Sequence, residues 1–206
     1  MLHILYIIAI IAEAMTAAFS AGRRDMDYMG VVIIAWITAL GGGTIRNLML
    51  GHYPMSWVEH PIYLILTAAA ALITTVAAQR ILKLKKLFLI LDAIGLVVFT
   101  ILGCQLALDM NMPSIIVIIC GMITGCAGGI MRDLLCNDIP LIFQKEIYAT
   151  VSLVTGIVYI LGLYLIPTPY HYATIVAFFI GLVFRLLAVY YDWSLPRFIF
   201  RDENKE

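Results

Sequence analysis

Charged residues are scarce in this sequence. Of its 206 residues only 13% are Asp, Glu, Lys or Arg, whereas 63% are hydrophobic, and the mean hydropathy is +1.01. Soluble domains are about 45–50% apolar and about 25% charged. The scarcity of charge therefore excludes an ordinary soluble domain and indicates an integral membrane protein.

Other absences narrow the class of function. The four cysteines lack the spacing of a metal-ligand set, and we find no nucleophile elbow, phosphate-binding loop or zinc-helix motif. The formal net charge is zero, without a basic patch that would indicate nucleic acid as a partner. We therefore expect no enzyme activity, no cofactor and no metal site, and we interpret the cysteines as small apolar packing residues.

Long polar connections are also missing. A helix needs about 20 mostly apolar residues to cross a bilayer. The sequence predicts seven such spans, at residues 2–21, 29–50, 61–79, 87–107, 114–136, 145–165 and 171–191. The chain is thus predicted to be all-α, with residues 1–206 forming a single membrane domain that ends in a polar tail at 192–206.

Lysine and arginine are missing from alternate loops. Of the 13 Lys and Arg residues, Arg46, Arg132 and Arg185 lie inside spans, and the others lie in the first, third and fifth loops and in the tail. The positive-inside rule then predicts a cytoplasmic C-terminus and an N-terminus outside. Arg185 lies near the cytoplasmic end of its span, where a long side chain can snorkel to water, and we interpret it as structural.

A constant offset of 86 residues aligns much of the chain with itself. The stretch "TALGGGTIRNLMLG" at 38–51 matches "TGCAGGIMRDLLCN" at 124–137, and the same offset places the first three spans on the next three. Each unit, 2–80 and 87–166, has an odd number of crossings. The second unit is therefore predicted to be inverted about a pseudo-twofold axis in the membrane plane, with the seventh span outside the repeat.

Each repeated motif places glycines inside a membrane span. Glycine costs about 1 kcal/mol relative to alanine in a helix interior, so the second and fifth spans are predicted to be kinked or unwound there. Exposed backbone groups are tolerated at membrane depth only against protein or a wet cavity, so the glycines should face inward. The alternative is close helix packing through small residues. The glycines are Gly41, Gly42, Gly43, Gly128 and Gly129.

An arginine follows three residues after the last glycine of each motif. Arg46 and Arg132 would lie in the first turn of a restarted half-helix, whose dipole adds positive charge and suits a carboxylate ligand. A buried arginine is normally paired. The candidate partners are Glu13, Asp92 and Asp133. Because Asn47 stands where the second repeat has an aspartate, Glu13 is also a candidate for the missing acid. The alternative is that these charges only lock helices together.

The two motifs carry a resemblance to a known family. "GGGTIRN" and "AGGIMRDLLCNDIP", together with "LDAIGLVVF" and "QKEIYA", resemble the YicG and YadS proteins of bacterial inner membranes, described as glycine transporters. The resemblance extends from about residue 2 to 200. The family is more distantly similar to trimeric intracellular cation channels, which implies two inverted three-helix units, a seventh helix and a homotrimer with one pathway per protomer.

Two functions remain open from the sequence. The resemblance implies transport of glycine or another very small zwitterion, with the arginines holding the carboxylate and acids or unwound carbonyls holding the ammonium group. The alternative is a monovalent cation channel, although paired arginines disfavour cations unless carboxylates neutralise them. A structural or accessory membrane protein is a third possibility. The candidate substrate or pore residues are Gly41, Gly42, Gly43, Arg46, Asn47, Gly128, Gly129, Arg132, Asp133, Glu13 and Asp92.

Overall fold

The computed structural model describes residues 1–78, 84–144, 147–165 and 171–194. These residues form α-helices joined by short turns and contain no β-strand. The helices are α1 Leu2–Gly22, α2 Tyr28–Leu50, α3 Ser56–Glu59, α4 Ile62–Ala78, α5 Leu84–Asp109, α6 Ser114–Leu135, α7 Tyr148–Leu165 and α8 His171–Tyr190, with a 3₁₀ turn at Leu141–Phe143.

Every predicted span coincides with a helix. Six of the described helices are long and apolar enough to cross a membrane, and α4, with 17 residues, is a shorter apolar helix. The sequence did not predict α3 or the 3₁₀ turn, because elements of 4 and 3 residues are too short to show a hydrophobic period. Several of the basic residues from which the orientation is predicted, at 80, 83, 145, 197, 201 and 205, lie outside the described residues.

Local chemistry sets both ends of α2. The Asp27 side chain accepts a hydrogen bond from the Gly30 amide at 2.7 Å and so caps the first turn. At the other end Gly51 adopts a left-handed conformation, with φ of 64°, which ends the helix at little cost because glycine has no Cβ.

The buried apolar side chains form two clusters. One joins α1, α2 and α4 to Val98 and Phe99 of α5, and the other joins α5, α6, α7 and α8. The outward faces are apolar as well, with exposed side chains that include Ile4, Ile73, Tyr164 and Phe179. Such faces suit lipid or another protein subunit rather than water.

The glycine motifs do not interrupt their helices. Both α2 and α6 run without a break through residues 41–43 and 128–129, and Gly51 is the single glycine with positive φ in the described part of the chain. The expectation of an unwound segment is therefore wrong. The helices stay closed because the space left by the missing side chains is filled by the neighbouring helix.

Two ends of the bundle can be distinguished by their side chains. One end, which we call the basic side, carries Arg23 and Arg24 in the turn after α1, and Arg24 donates to the Asn137 carbonyl oxygen just after α6, at 2.8 Å. At the opposite end, which we call the histidine side, His3 and His60 lie with their ring centroids 6.4 Å apart.

Candidate functional site

Helices α2 and α6 meet backbone to backbone at their glycines. A Cβ atom at Gly42 would overlap the carbonyl oxygen of Thr124, and a Cβ atom at Gly128 would overlap the carbonyl oxygen of Thr38. The contact is reciprocal between positions 86 residues apart in the sequence. Only glycine permits so close an approach, so these two residues act in packing.

The remaining glycines of the motifs have different neighbours. Gly41 faces a flexible methionine side chain of α6. A Cβ atom at Gly43 would stand 3.7 Å from Arg46 Nη2, and one at Gly129 would stand 3.8 Å from Arg132 Nη2. Each arginine thus folds back over the glycine three residues before it.

Three carboxylates surround Arg132, whose side chain is 0% exposed. Its Nη1 lies 2.9 Å from Asp92 Oδ1 and 3.7 Å from Glu13 Oε2, and its Nε lies 2.8 Å from Asp133 Oδ1. The acids come from α5, α1 and α6. Since a buried charge is costly unless it is paired, these carboxylates are what allow an arginine at this depth.

Arg185 of α8 extends the same cluster. Its side chain is 0% exposed, with Nη2 3.8 Å from Asp92 Oδ2 and its guanidinium carbon 4.7 Å from the Tyr148 ring centroid. The expectation that it snorkels to water is wrong. A signal was available, because Ala177, Gly181 and Arg185 recur every four residues on the buried face of α8.

Phe88 lies at the basic side of the cluster. Its ring centroid is 4.6 Å from the guanidinium carbon of Arg132 and 5.1 Å from that of Arg23. Phe88, Arg23 and Asp133 also line a cavity of about 1190 Å³. The ring therefore links an arginine of the cavity wall to the buried arginine, a role that the sequence did not indicate.

Arg46 has different surroundings. Its side chain is buried, and Nε and Nη2 donate to Asn47 Oδ1 at 2.9 and 2.7 Å. No carboxylate oxygen of the described residues lies within 4.0 Å of it. Glu13, the candidate for the missing acid, does not pair with Arg46: it packs against Gly95 of α5, which leaves room for its carboxyl group beside Arg132.

A cavity of about 250 Å³ on the histidine side reaches Arg46. Glu59, Asp109 and Gln105 line the same cavity. Gln105 donates to Asp109 Oδ1 at 2.7 Å and accepts a hydrogen bond from the Tyr159 hydroxyl, which fixes its orientation. The cavity therefore combines one buried guanidinium with two carboxylates.

Relatives were found over almost the whole chain. A family model described as "Glycine transporter" matches residues 3–79 and again residues 89–164. The inner membrane protein YadS of Escherichia coli (strain K12) is 37% identical over 192 residues, covering 93% of this chain and 92% of its own length. The membrane protein YvgT of Bacillus subtilis (strain 168) is 35% identical and covers 98% of both chains.

Solved structures of TRIC cation channels share the fold. One is 38% identical with a TM-score of 0.87, covering 97% of this chain and 98% of its own. The TRIC trimeric intracellular cation channel orthologue from Rhodobacter sphaeroides is 32% identical with a TM-score of 0.88, covering 92% of this chain and 97% of its own. The expected similarity to these channels is confirmed. With the family model matched twice and YadS similar over most of its length, the chain belongs to the glycine transporter family of membrane proteins.

Proposed function

We propose that this protein carries glycine or another very small zwitterion across a bacterial inner membrane, along a path between two inverted halves. The observation that carries the proposal is the difference between the two motif arginines. Arg132 is enclosed by three carboxylates, whereas Arg46 has no carboxylate partner in the described residues and borders a cavity. Membership of the glycine transporter family supports transport as the activity.

The cavity at Arg46 has the chemistry that a zwitterion needs. A guanidinium binds a carboxylate through charge-assisted hydrogen bonds. Asn47 occupies Nε and Nη2, so Nη1 is available to a ligand carboxylate. Glu59 and Asp109 can accept the ammonium group on the same cavity wall. Its volume, about 250 Å³, falls below the range of about 300–1,000 Å³ common for drug-sized ligands, which favours a very small solute.

Inverted symmetry is part of the proposal. The second match of the family model begins at residue 89, 86 residues beyond the first at residue 3, which is the offset seen in the sequence. The reciprocal contact between Gly42 and Gly128 supports the same relation. We propose repeats at 2–80 and 87–166 around a central path, with α4 as the third crossing, the glycines as sites of helix bending, and the N-terminus outside.

The assembly that we propose is a homotrimer with one path per protomer. Its support is the fold shared with a channel described as trimeric, at 32% identity and a TM-score of 0.88. The exposed apolar faces of the helices provide surface for both lipid and protomer contacts.

A monovalent cation channel is the second candidate function. Arginines near a pore oppose cation conduction, but the carboxylates of Asp92 and Asp133 lie 2.9 and 2.8 Å from Arg132 and offset its charge. A TRIC cation channel is also 38% identical to this chain. Both observations favour a channel more than the sequence did.

Flux and current measured side by side test the proposal. The purified protein is reconstituted in liposomes, and uptake of labelled glycine and potassium current are recorded from the same preparation. We expect saturable uptake that Arg46→Ala abolishes while the oligomer stays intact. Arg24→Ala is the matched control, because Arg24 is 40% exposed and pairs with Asp138 at the surface.

The other possible outcomes of the flux and current measurements each identify a different function or mechanism. Normal uptake by a folded Arg46→Ala variant removes Arg46 from the mechanism. Ohmic potassium current without saturable glycine flux identifies the channel as the function. Neither signal from an intact oligomer indicates a structural or accessory membrane protein.

A further inference from the structure

The three carboxylates around Arg132 are not equivalent. Asp92 and Asp133 accept hydrogen bonds from its guanidinium at 2.9 and 2.8 Å, and Asp92 also has Arg185 at 3.8 Å. Glu13 Oε2 lies 3.7 Å from Arg132 Nη1, which is beyond hydrogen-bond distance. Glu13 is therefore the carboxyl group that the arginines compensate least, although it is 2% exposed.

Apart from Arg132, no cation of the described residues forms an ion pair with Glu13 within 4.0 Å. Helix α4 carries no charged residue, and Arg46, the one charged residue of α2, forms no ion pair with it. The titratable and charged groups around Glu13 on α5, α6, α7 and α8 are Asp92, Arg132, Asp133, Tyr148 and Arg185. Asp92 and Asp133 are acids, and their negative charges oppose a further negative charge on Glu13.

The Thr16 hydroxyl is the neutral partner of Glu13. Thr16 Oγ1 lies 2.8 Å from the Glu13 carbonyl oxygen, 3.0 Å from Arg132 Nη1 and 3.1 Å from Glu13 Oε2. The hydroxyl donates to Glu13 and accepts from Arg132. It brings no charge to the carboxyl group, and the buried cluster holds three acids, Glu13, Asp92 and Asp133, against two arginines, Arg132 and Arg185. One acid is left without a cation of its own, and Glu13, which accepts no hydrogen bond from either arginine, is the acid best placed to carry a proton.

We infer that Glu13 is a proton-binding site and that the protein couples solute movement to a proton. The coupling rests on the proposed transport function. When the cluster opens to water, the Glu13 O–H bond breaks, the proton passes to a water molecule, and the carboxylate that remains is stabilised by Arg132. Reprotonation from water on the other side of the membrane completes the cycle. Gly95 leaves the space that the carboxyl group occupies.

A glutamine in place of Glu13 tests the coupling. Glu13→Gln keeps an acceptor oxygen for the Thr16 hydroxyl but cannot release a proton. With one proton per solute, a pH difference of about one unit supports about tenfold accumulation of glycine in the wild type. We expect the variant to lose this accumulation and to retain exchange of internal for external glycine. Asp25→Asn, at an exposed loop position, is the control with unchanged accumulation.

Infrared spectroscopy detects the proton on the Glu13 carboxyl group directly. With isotope-labelled glutamate, the wild type at neutral pH should show the carbonyl stretch of a protonated carboxyl group. Glu13→Gln should lack this band and Asp25→Asn should keep it. Absence of the band in the wild type, or equal pH-driven accumulation by the wild type and Glu13→Gln, overturns the inference. If the wild type transports no glycine, the proposed function fails, and the band alone then supports or overturns the proton site.

Discussion

Two neighbouring glycines should respond in opposite directions to the same added methyl group. In Gly42→Ala the new Cβ atom overlaps the Thr124 carbonyl oxygen, which belongs to the backbone of another helix. In Gly43→Ala the new Cβ atom meets only Arg46 Nη2, at the ordinary contact distance of 3.7 Å. The first change must separate two helices, whereas the second requires no movement.

The difference in the free energy of unfolding between the two variants follows from the gain in helix propensity and the cost of overpacking. Replacing glycine by alanine in a helix interior gains about 1 kcal/mol. Overpacking costs about 1–3 kcal/mol, and the upper value applies at Gly42 because no rotamer change can move a carbonyl oxygen. We therefore expect Gly42→Ala to lower the free energy of unfolding by about 2 kcal/mol and Gly43→Ala to raise it by up to about 1 kcal/mol.

Unfolding by sodium dodecyl sulfate in mixed micelles measures both values. Trp36 and Trp57 provide the fluorescence signal, since their indole groups donate to Leu64 of α4 and Thr44 of α2 at 2.9 and 3.1 Å. Gly128→Ala should match Gly42→Ala, because it overlaps the equivalent backbone. Equal stability of the two α2 variants would refute the packing argument.

Two further effects on stability follow from the buried charges. Arg132→Met leaves the buried Asp133 carboxylate without a cation within 4.0 Å and should cost about 3–5 kcal/mol. Arg46→Met loses hydrogen bonds to one amide and should cost about 1.5–3 kcal/mol. Both values are measured by the same unfolding assay. Gly95→Ala places a Cβ atom on the Glu13 carboxyl group, so Glu13→Ala should offset part of its cost. A double-mutant cycle should give a coupling of about 0.5–3 kcal/mol, and strict additivity would contradict the contact.

Hydrophobic runs predicted the helices well because burial in lipid requires them. Part of the site followed from the same reasoning, since a buried arginine demands acids and Asp92 and Asp133 do contact Arg132. The sequence left open which arginine Glu13 meets, and it placed Arg185 wrongly near water. A helical period shows which face is buried, and it could have placed Arg185 inside. It does not show which residue of a neighbouring helix meets that face, so the partner of Glu13 could not be predicted.

The contact between α2 and α6 also sets how fast a path between these helices could open. A constriction made of side chains opens when rotamers change, in picoseconds to nanoseconds for exposed groups. Here Gly42 and Gly128 press main chain against main chain, and a main chain has no rotamers. Parting them requires whole helices to shift, a motion of about microseconds to milliseconds. A solute that must pass this contact would cross one at a time at the pace of helix movement, which is the behaviour of a carrier.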